Sequence, residues 1–111
     1  MKPGSIGLAH IQQSDGRFKQ RPVVVLQEMP PFSDFLICAI SSQLRHQSPE
    51  FDEVINNTDS DFATSGLKVT SLIRLGLLAT LPRTALLGEL GTISEQRLAR
   101  LRVQLARHIR G

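Results

Sequence analysis

Arg17-Phe18-Lys19-Gln20-Arg21-Pro22-Val23-Val24-Val25-Leu26, followed after a turn by Leu36-Ile37-Cys38-Ala39-Ile40-Ser41-Ser42, decides how this chain folds. The first half reads as a basic loop emptying into a buried strand. The second reads as another buried strand that ends in paired hydroxyls. The hinge is Arg21-Pro22. A residue before proline is pushed out of the helical region into an extended conformation, and proline lacks a donor, so in a sheet it belongs at a strand's first residue or on an edge. A strand is therefore expected over 22–28, with Arg21 at its mouth and its guanidinium held from a rigid base, where it suits an anion. The unbroken run of branched residues means that both faces of this strand are covered, or that the sheet curves into a small barrel.

Working outward, residues 5–11 alternate as a first strand that places Ile6, Leu8 and His10 on one face. Residues 12–20, with Asp15-Gly16 as a turn signal, form a polar loop. Beyond the second strand, the two prolines of 29–34 force a turn, and 35–42 is the third strand. Residues 43–50 read as a polar loop, 51–55 as a short strand and 56–66 as an irregular segment. Residues 67–75 alternate with Leu67, Val69, Ser71 and Ile73 on one face, and 77–81 make a separate strand stopped by Pro82. A helical turn over 83–87 and a last short strand over 87–90 follow. Ser94 is a good N-cap for a helix ending near Arg110. Leu98, Leu101, Leu105 and Ile109 form its apolar stripe, with Arg97, Arg100, Gln104 and Arg107 on a solvated face. The fold class is mainly β with a C-terminal helix: one domain over 1–111, a small twisted barrel or rolled sheet over 4–92, and a helix over 94–110.

The composition, 41% hydrophobic and 21% charged, is that of a globular chain. No stretch approaches the roughly 18 apolar residues of a membrane span, nothing resembles a signal peptide, and a cytoplasmic location with no membrane partner is expected. The lone Cys38 sits among apolar neighbours and reads as a small core residue. The net charge of +3 is unevenly laid out. Residues 94–111 hold five arginines against Glu95, while Glu50, Asp52, Glu53, Asp59 and Asp61 form an acidic block. No metal-ligand spacing, phosphate-cradling glycine loop or nucleophile–base motif occurs, and no cofactor is expected.

The order of a basic loop, Arg21-Pro22, an apolar run, a turn, Cys38-Ala39-Ile40-Ser41-Ser42, then Ser71-Leu72-Ile73-Arg74-Leu75 and Ala79-Thr80-Leu81, resembles the PemK/MazF toxins of toxin–antitoxin pairs over nearly the whole chain. The resemblance implies a Src-homology-3-like barrel of the MazF/CcdB kind, a homodimer, and a metal-independent endoribonuclease that cuts single-stranded RNA and is silenced by a cognate antitoxin protein. It also implies that Arg21 is the catalytic arginine of the Arg-Pro motif and that Ser41 stands where many members have threonine. Arg74 aligns with an arginine that some relatives use at the cleavage site. Two positions depart from the pattern: Gly76 stands where those relatives have an aspartate thought to be the base, and Ala79 where many have arginine, before Thr80.

RNA can cleave itself when its 2′-hydroxyl attacks the adjacent phosphorus, and negative charge then gathers on the phosphoryl oxygens. A guanidinium meets that charge with two parallel charge-assisted bonds. Arg21 and Ser41 are thus the candidate catalytic residues. Arg17, Lys19, Gln20, Ser42, Arg74 and Thr80 are candidates for holding RNA. His10, Asp15 and Asp34 are candidates for a general base by type alone, and His46 and His108 have no placement that favours them. The competing reading is a catalytically weak RNA- or antitoxin-binding barrel on the same fold.

Overall fold

The computed structural model describes residues 1–12 and 15–111. Strands β1 (Ser5–Gln12), β2 (Phe18–Met29), β3 (Asp34–Ser41), β4 (Glu53–Ile55), β5 (Ser71–Leu81) and β6 (Glu89–Thr92) form one antiparallel sheet in the order β4-β5-β3-β2-β1-β6. It curls into a half-barrel. A one-turn helix, α1 (Phe62–Ser65), and the C-terminal helix, α2 (Glu95–Arg110), complete the described elements longer than a 3-10 turn. The mainly β architecture with a terminal helix is the one expected.

The apolar run of β2 is buried on both faces, because alternate side chains leave a strand on opposite sides. Val24 and Leu26 join Ile6, Cys38, Ile40, Ile73 and Leu75 beneath Leu98, Leu101 and Leu105 of α2. Val23 and Val25 join Ala9, Ile11, Phe35, Ile37 and Leu86 in a second cluster on the other face. α2 starts as the sequence predicts, with Ser94 Oγ accepting from the Arg97 backbone N–H at 3.1 Å. At the edge of the sheet, α1 lies tight against β6. A Cβ added at Gly91 would collide with the Thr64 carbonyl oxygen, so only glycine permits that approach.

Several expectations are corrected. β2 begins at Phe18, so Arg21 is the fourth residue of a long strand, opposite Ala9, and not at its mouth. Pro22 is nevertheless tolerated, for a visible reason. Its partner Leu8 spends its backbone N–H on Gly88 (3.0 Å) and its carbonyl on Leu87 (2.8 Å), on the side away from β2. Leu8–Pro22 is therefore a non-hydrogen-bonded pair. The missing donor of Pro22 points past the last β3 pairing, Val23–Ala39, where no ladder bond is lost.

On β1, His10 is exposed, while Ala9 and Ile11 are buried. The strands expected over 67–75 and 77–81 are one strand, β5. Leu67 and Val69 precede it, and Val69 is exposed. Its register jumps by three residues between Ala39–Arg74 and Cys38–Leu78, leaving Leu75, Gly76 and Leu77 as a bulge. β6 starts two residues later than expected. On α2, Ile109 is exposed, whereas Arg97 is 5% exposed.

Arg97 is no solvated arginine. Its Nε and Nη2 reach the two carboxylate oxygens of Asp61 at 2.8 and 3.0 Å, Nη2 also reaches Asp59 at 2.8 Å, and Nη1 reaches Glu53 at 2.7 Å. Asp61 additionally accepts from the Ser94 backbone N–H at 3.0 Å. Hydrogen bonding from Arg97, opposed by burial and aided by Ser94, lowers the Asp61 carboxyl to about 2. Most of the acidic block is therefore the counter-charge of the helix arginines. It draws the 53–61 segment onto α2.

Candidate functional site

The strand pairings bring three predicted residues to one place. Ala39 of β3 faces Val23 of β2 on one side and Arg74 of β5 on the other. Two residues further along β3 is Ser41, and two residues before Val23 is Arg21, so alternation carries Arg21, Ser41 and Arg74 to the same face and the same end of the sheet. That face is the one α2 does not cover. There Gln12, Arg21, Ser41, Gln43, His46, Arg74 and Leu77 line a hollow of about 480 Å³.

Each side chain is held by local structure. Ser41 is buried, and its Oγ accepts from the Gln43 backbone N–H at 3.0 Å. The hydroxyl keeps its own proton to donate. The same bond turns the chain out of β3 into a 3-10 turn over Leu44–His46, in which the His46 backbone N–H reaches the Gln43 carbonyl at 3.1 Å. Asp52 ties the far side of this loop. Its carboxylate oxygens accept from the backbone N–H groups of Ser48 and Leu75, both at 2.9 Å. Leu75 opens the bulge that follows Arg74, so one buried carboxylate fixes both the loop carrying His46 and the backbone beside Arg74. Arg74 is half-buried, and its Nε has no hydrogen-bond partner among the described residues.

Beside this hollow, and sharing Arg21, Ser41 and Gln43 with it, lies a second of about 410 Å³. Lys19, Gln20 and Ser42 line it, over an apolar wall of Leu8, Pro22, Leu67 and Val69. Two predicted residues lie outside both hollows. Arg17 is exposed at the base of the β1–β2 loop, where its backbone N–H bonds Asp15 at 2.9 Å. Thr80 sits opposite Leu36, beyond the bulge. The general bases considered by type are not brought in either. His10 lines a neighbouring apolar hollow, Asp15 is exposed beside Arg17, and Asp34 pairs with Met29 at the opposite end of β3 from Ser41. The sequence signal that would have found His46 is its distance from Ser41: five residues, spanned by a short turn that begins where Ser41 Oγ accepts from the Gln43 backbone N–H. Another hollow, about 720 Å³, lies at the start of α2, where Asp61 is already committed to Arg97 and Arg102 to the Leu26 carbonyl.

With that geometry in view, the comparison with known families is decisive. The profile described as "PemK-like, MazF-like toxin of type II toxin-antitoxin system" matches residues 2–109. The chain belongs to this family. PemK/MazF toxins pair with an antitoxin and in general cleave RNA. Among solved structures, the Mycobacterium tuberculosis toxin MazF-mt6 is similar in fold, with a TM-score of 0.64 and 20% identity over 94% of this chain and 96% of that one. No curated protein matches. Two positions at which the sequence departs from the family pattern, Gly76 and Ala79, line neither of the two hollows. Gly76 is exposed within the bulge, and a Cβ there would meet only Phe51 at an ordinary 3.7 Å. Ala79 faces Ile37 and packs on the second apolar cluster. Neither has a side chain that can carry a proton or hold a phosphate.

Proposed function

We propose that this chain is the toxin of a toxin–antitoxin pair and cuts single-stranded RNA without a metal ion, by attack of a 2′-hydroxyl on the adjacent phosphorus. The observation that carries this reading is the convergence of Arg21, Arg74 and the Ser41 hydroxyl on one hollow whose described lining contains no carboxylate. A phosphate entering it would meet two guanidiniums and a hydroxyl donor as charge builds on its oxygens. Guanidinium is too basic to give up its proton readily, so Arg21 serves as the electrostatic stabiliser. Arg74 grips the same or the next phosphate. Lys19, Gln20 and Ser42 hold the adjacent nucleotide in the second hollow, whose apolar wall suits a base. Arg17 and Thr80, outside both hollows, contact RNA further from the cut.

The uncovered sheet face supports the homodimer. Ile11, Phe18, Ile37, Leu77, Leu78 and Leu81 surround an apolar hollow of about 270 Å³ there, and Phe18 is 67% exposed. A second copy seated on this face would lie next to the RNA site. The alternative, a barrel that binds RNA or antitoxin but cleaves weakly, is favoured by Gly76 and Ala79. Incubating the purified protein with long single-stranded RNA in EDTA separates the two. Discrete fragments ending in cyclic phosphate are expected. RNA that is bound but left intact would mean the binding module.

A further inference from the structure

We propose that His46 is the group that takes the 2′-hydroxyl proton, an assignment that rests on the RNA-cleaving reading above. The hollow itself makes the argument by elimination. Among its described lining residues, Gln12 and Gln43 are amides, Leu77 is apolar, Arg21 and Arg74 stay protonated, and Ser41 is a hydroxyl already placed to donate. The imidazole of His46 is the one lining side chain able to accept a proton near neutral pH. Among the described residues no Asp or Glu lines the hollow. Asp52, the buried carboxylate that holds the backbone next to Arg74, has its oxygens occupied by the backbone N–H groups of Ser48 and Leu75.

The position of His46 is built rather than incidental. The turn that carries it is pinned at its start by Ser41 Oγ and beyond its end by Asp52, the same two residues that shape the walls around Arg21 and Arg74. His46 is itself exposed, so it can exchange protons with water between turnovers. The charged groups around it are Arg21 from β2, Arg74 from β5 and Arg45 beside it on its own turn.

The 2′-oxygen bonds to phosphorus as its proton passes to the neutral imidazole. The bond from phosphorus to the 5′-oxygen breaks, and that oxygen leaves with a proton from water. The imidazolium then returns its proton to the hydroxide so formed. The products are a 2′,3′-cyclic phosphate and a 5′-hydroxyl, with Arg21, Arg74 and Ser41 holding the phosphoryl oxygens throughout.

The test compares wild type, His46→Ala and His46→Gln on one RNA oligonucleotide across pH 5 to 9, and measures binding of the same oligonucleotide with a 2′-deoxy sugar at the cut site. Wild-type rate should rise with pH through the imidazole range and then level. Both variants should lose about 10²- to 10⁴-fold in rate and lose that rise, while binding the uncleavable RNA within about twofold of wild type, the tolerance set for a group that does not hold phosphate. Added imidazole should restore part of the rate to His46→Ala. Variants that cleave at the wild-type rate with the wild-type pH profile would overturn the assignment of His46 and leave the nuclease reading standing. A wild type that cleaves no RNA would overturn both.

Discussion

The two arginine clusters of this protein teach opposite lessons with the same side chain. At the start of α2, Arg97 is buried and every nitrogen of its guanidinium faces an acidic oxygen from Glu53, Asp59 or Asp61. On the far face of the sheet, Arg21 and Arg74 line a hollow whose described residues supply amides, a hydroxyl and an imidazole but no carboxylate. A cation answered by carboxylates inside the chain is a structural tie. Cations that line an open hollow with no carboxylate among its described lining suit an anion from outside. Counting arginines along the sequence cannot separate these roles, because what differs is the partner and not the residue.

The comparison breaks if the α2 cluster is not structural, and Arg97→Ala is the hardest test. It leaves Asp61 buried beside two other carboxylates, and removing one partner of such a cluster typically costs about 3–5 kcal/mol. Urea unfolding should show a loss of that size. Arg97→Ala with wild-type stability would dissolve the contrast. Acid sharpens it next. Because the Asp61 carboxyl is lowered to about 2 in the folded chain, against about 3.9 when unfolded, its contribution is fully present above pH 4 and is lost as pH falls towards 2. Roughly 2 kcal/mol should disappear across that window in wild type, and less in Arg97→Ala, both read from urea midpoints at each pH. The smallest effect belongs to Arg100. It also bonds Glu53, at 2.7 Å, but stands 54% exposed. Arg100→Ala should cost no more than about 1 kcal/mol, which would show that burial rather than ion-pair count sets the value of the cluster.

How much of this was legible beforehand follows from the range of each interaction. The Val23–Leu26 run announced a strand buried on both sides, and Ser94 announced a helix start, because those signals are local. The Arg-Pro pair and the hydroxyl at Ser41 pointed to a phosphate site through family resemblance, and the strand pairings bring both to the hollow on which the proposed function rests. The true start of β2 was hidden, since Phe18, Lys19 and Gln20 are exposed strand residues whose pattern looks like loop. Pro22 looked like a beginning because its tolerance depends on where the pairing of β2 with β3 ends, which another segment decides. The burial of Arg97 was invisible for the same reason: its partners lie 36 to 44 residues away. The bulge at Leu75–Leu77 depends on the long-range bond to Asp52, so alternation alone broke β5 into two strands. His46 entered the site only once the 3-10 turn after Ser41 was in place.

The most direct test of the account measures RNA cleavage per folded molecule by Arg21→Ala, in EDTA, with its melting temperature taken on the same sample. Loss of one such donor should lower the rate about 10²- to 10³-fold, equivalent to about 3–4 kcal/mol of barrier, with the melting temperature near that of wild type. A folded Arg21→Ala that cleaves as fast as wild type would contradict the central claim that the guanidinium on the uncovered face, rather than those beneath α2, does the chemistry.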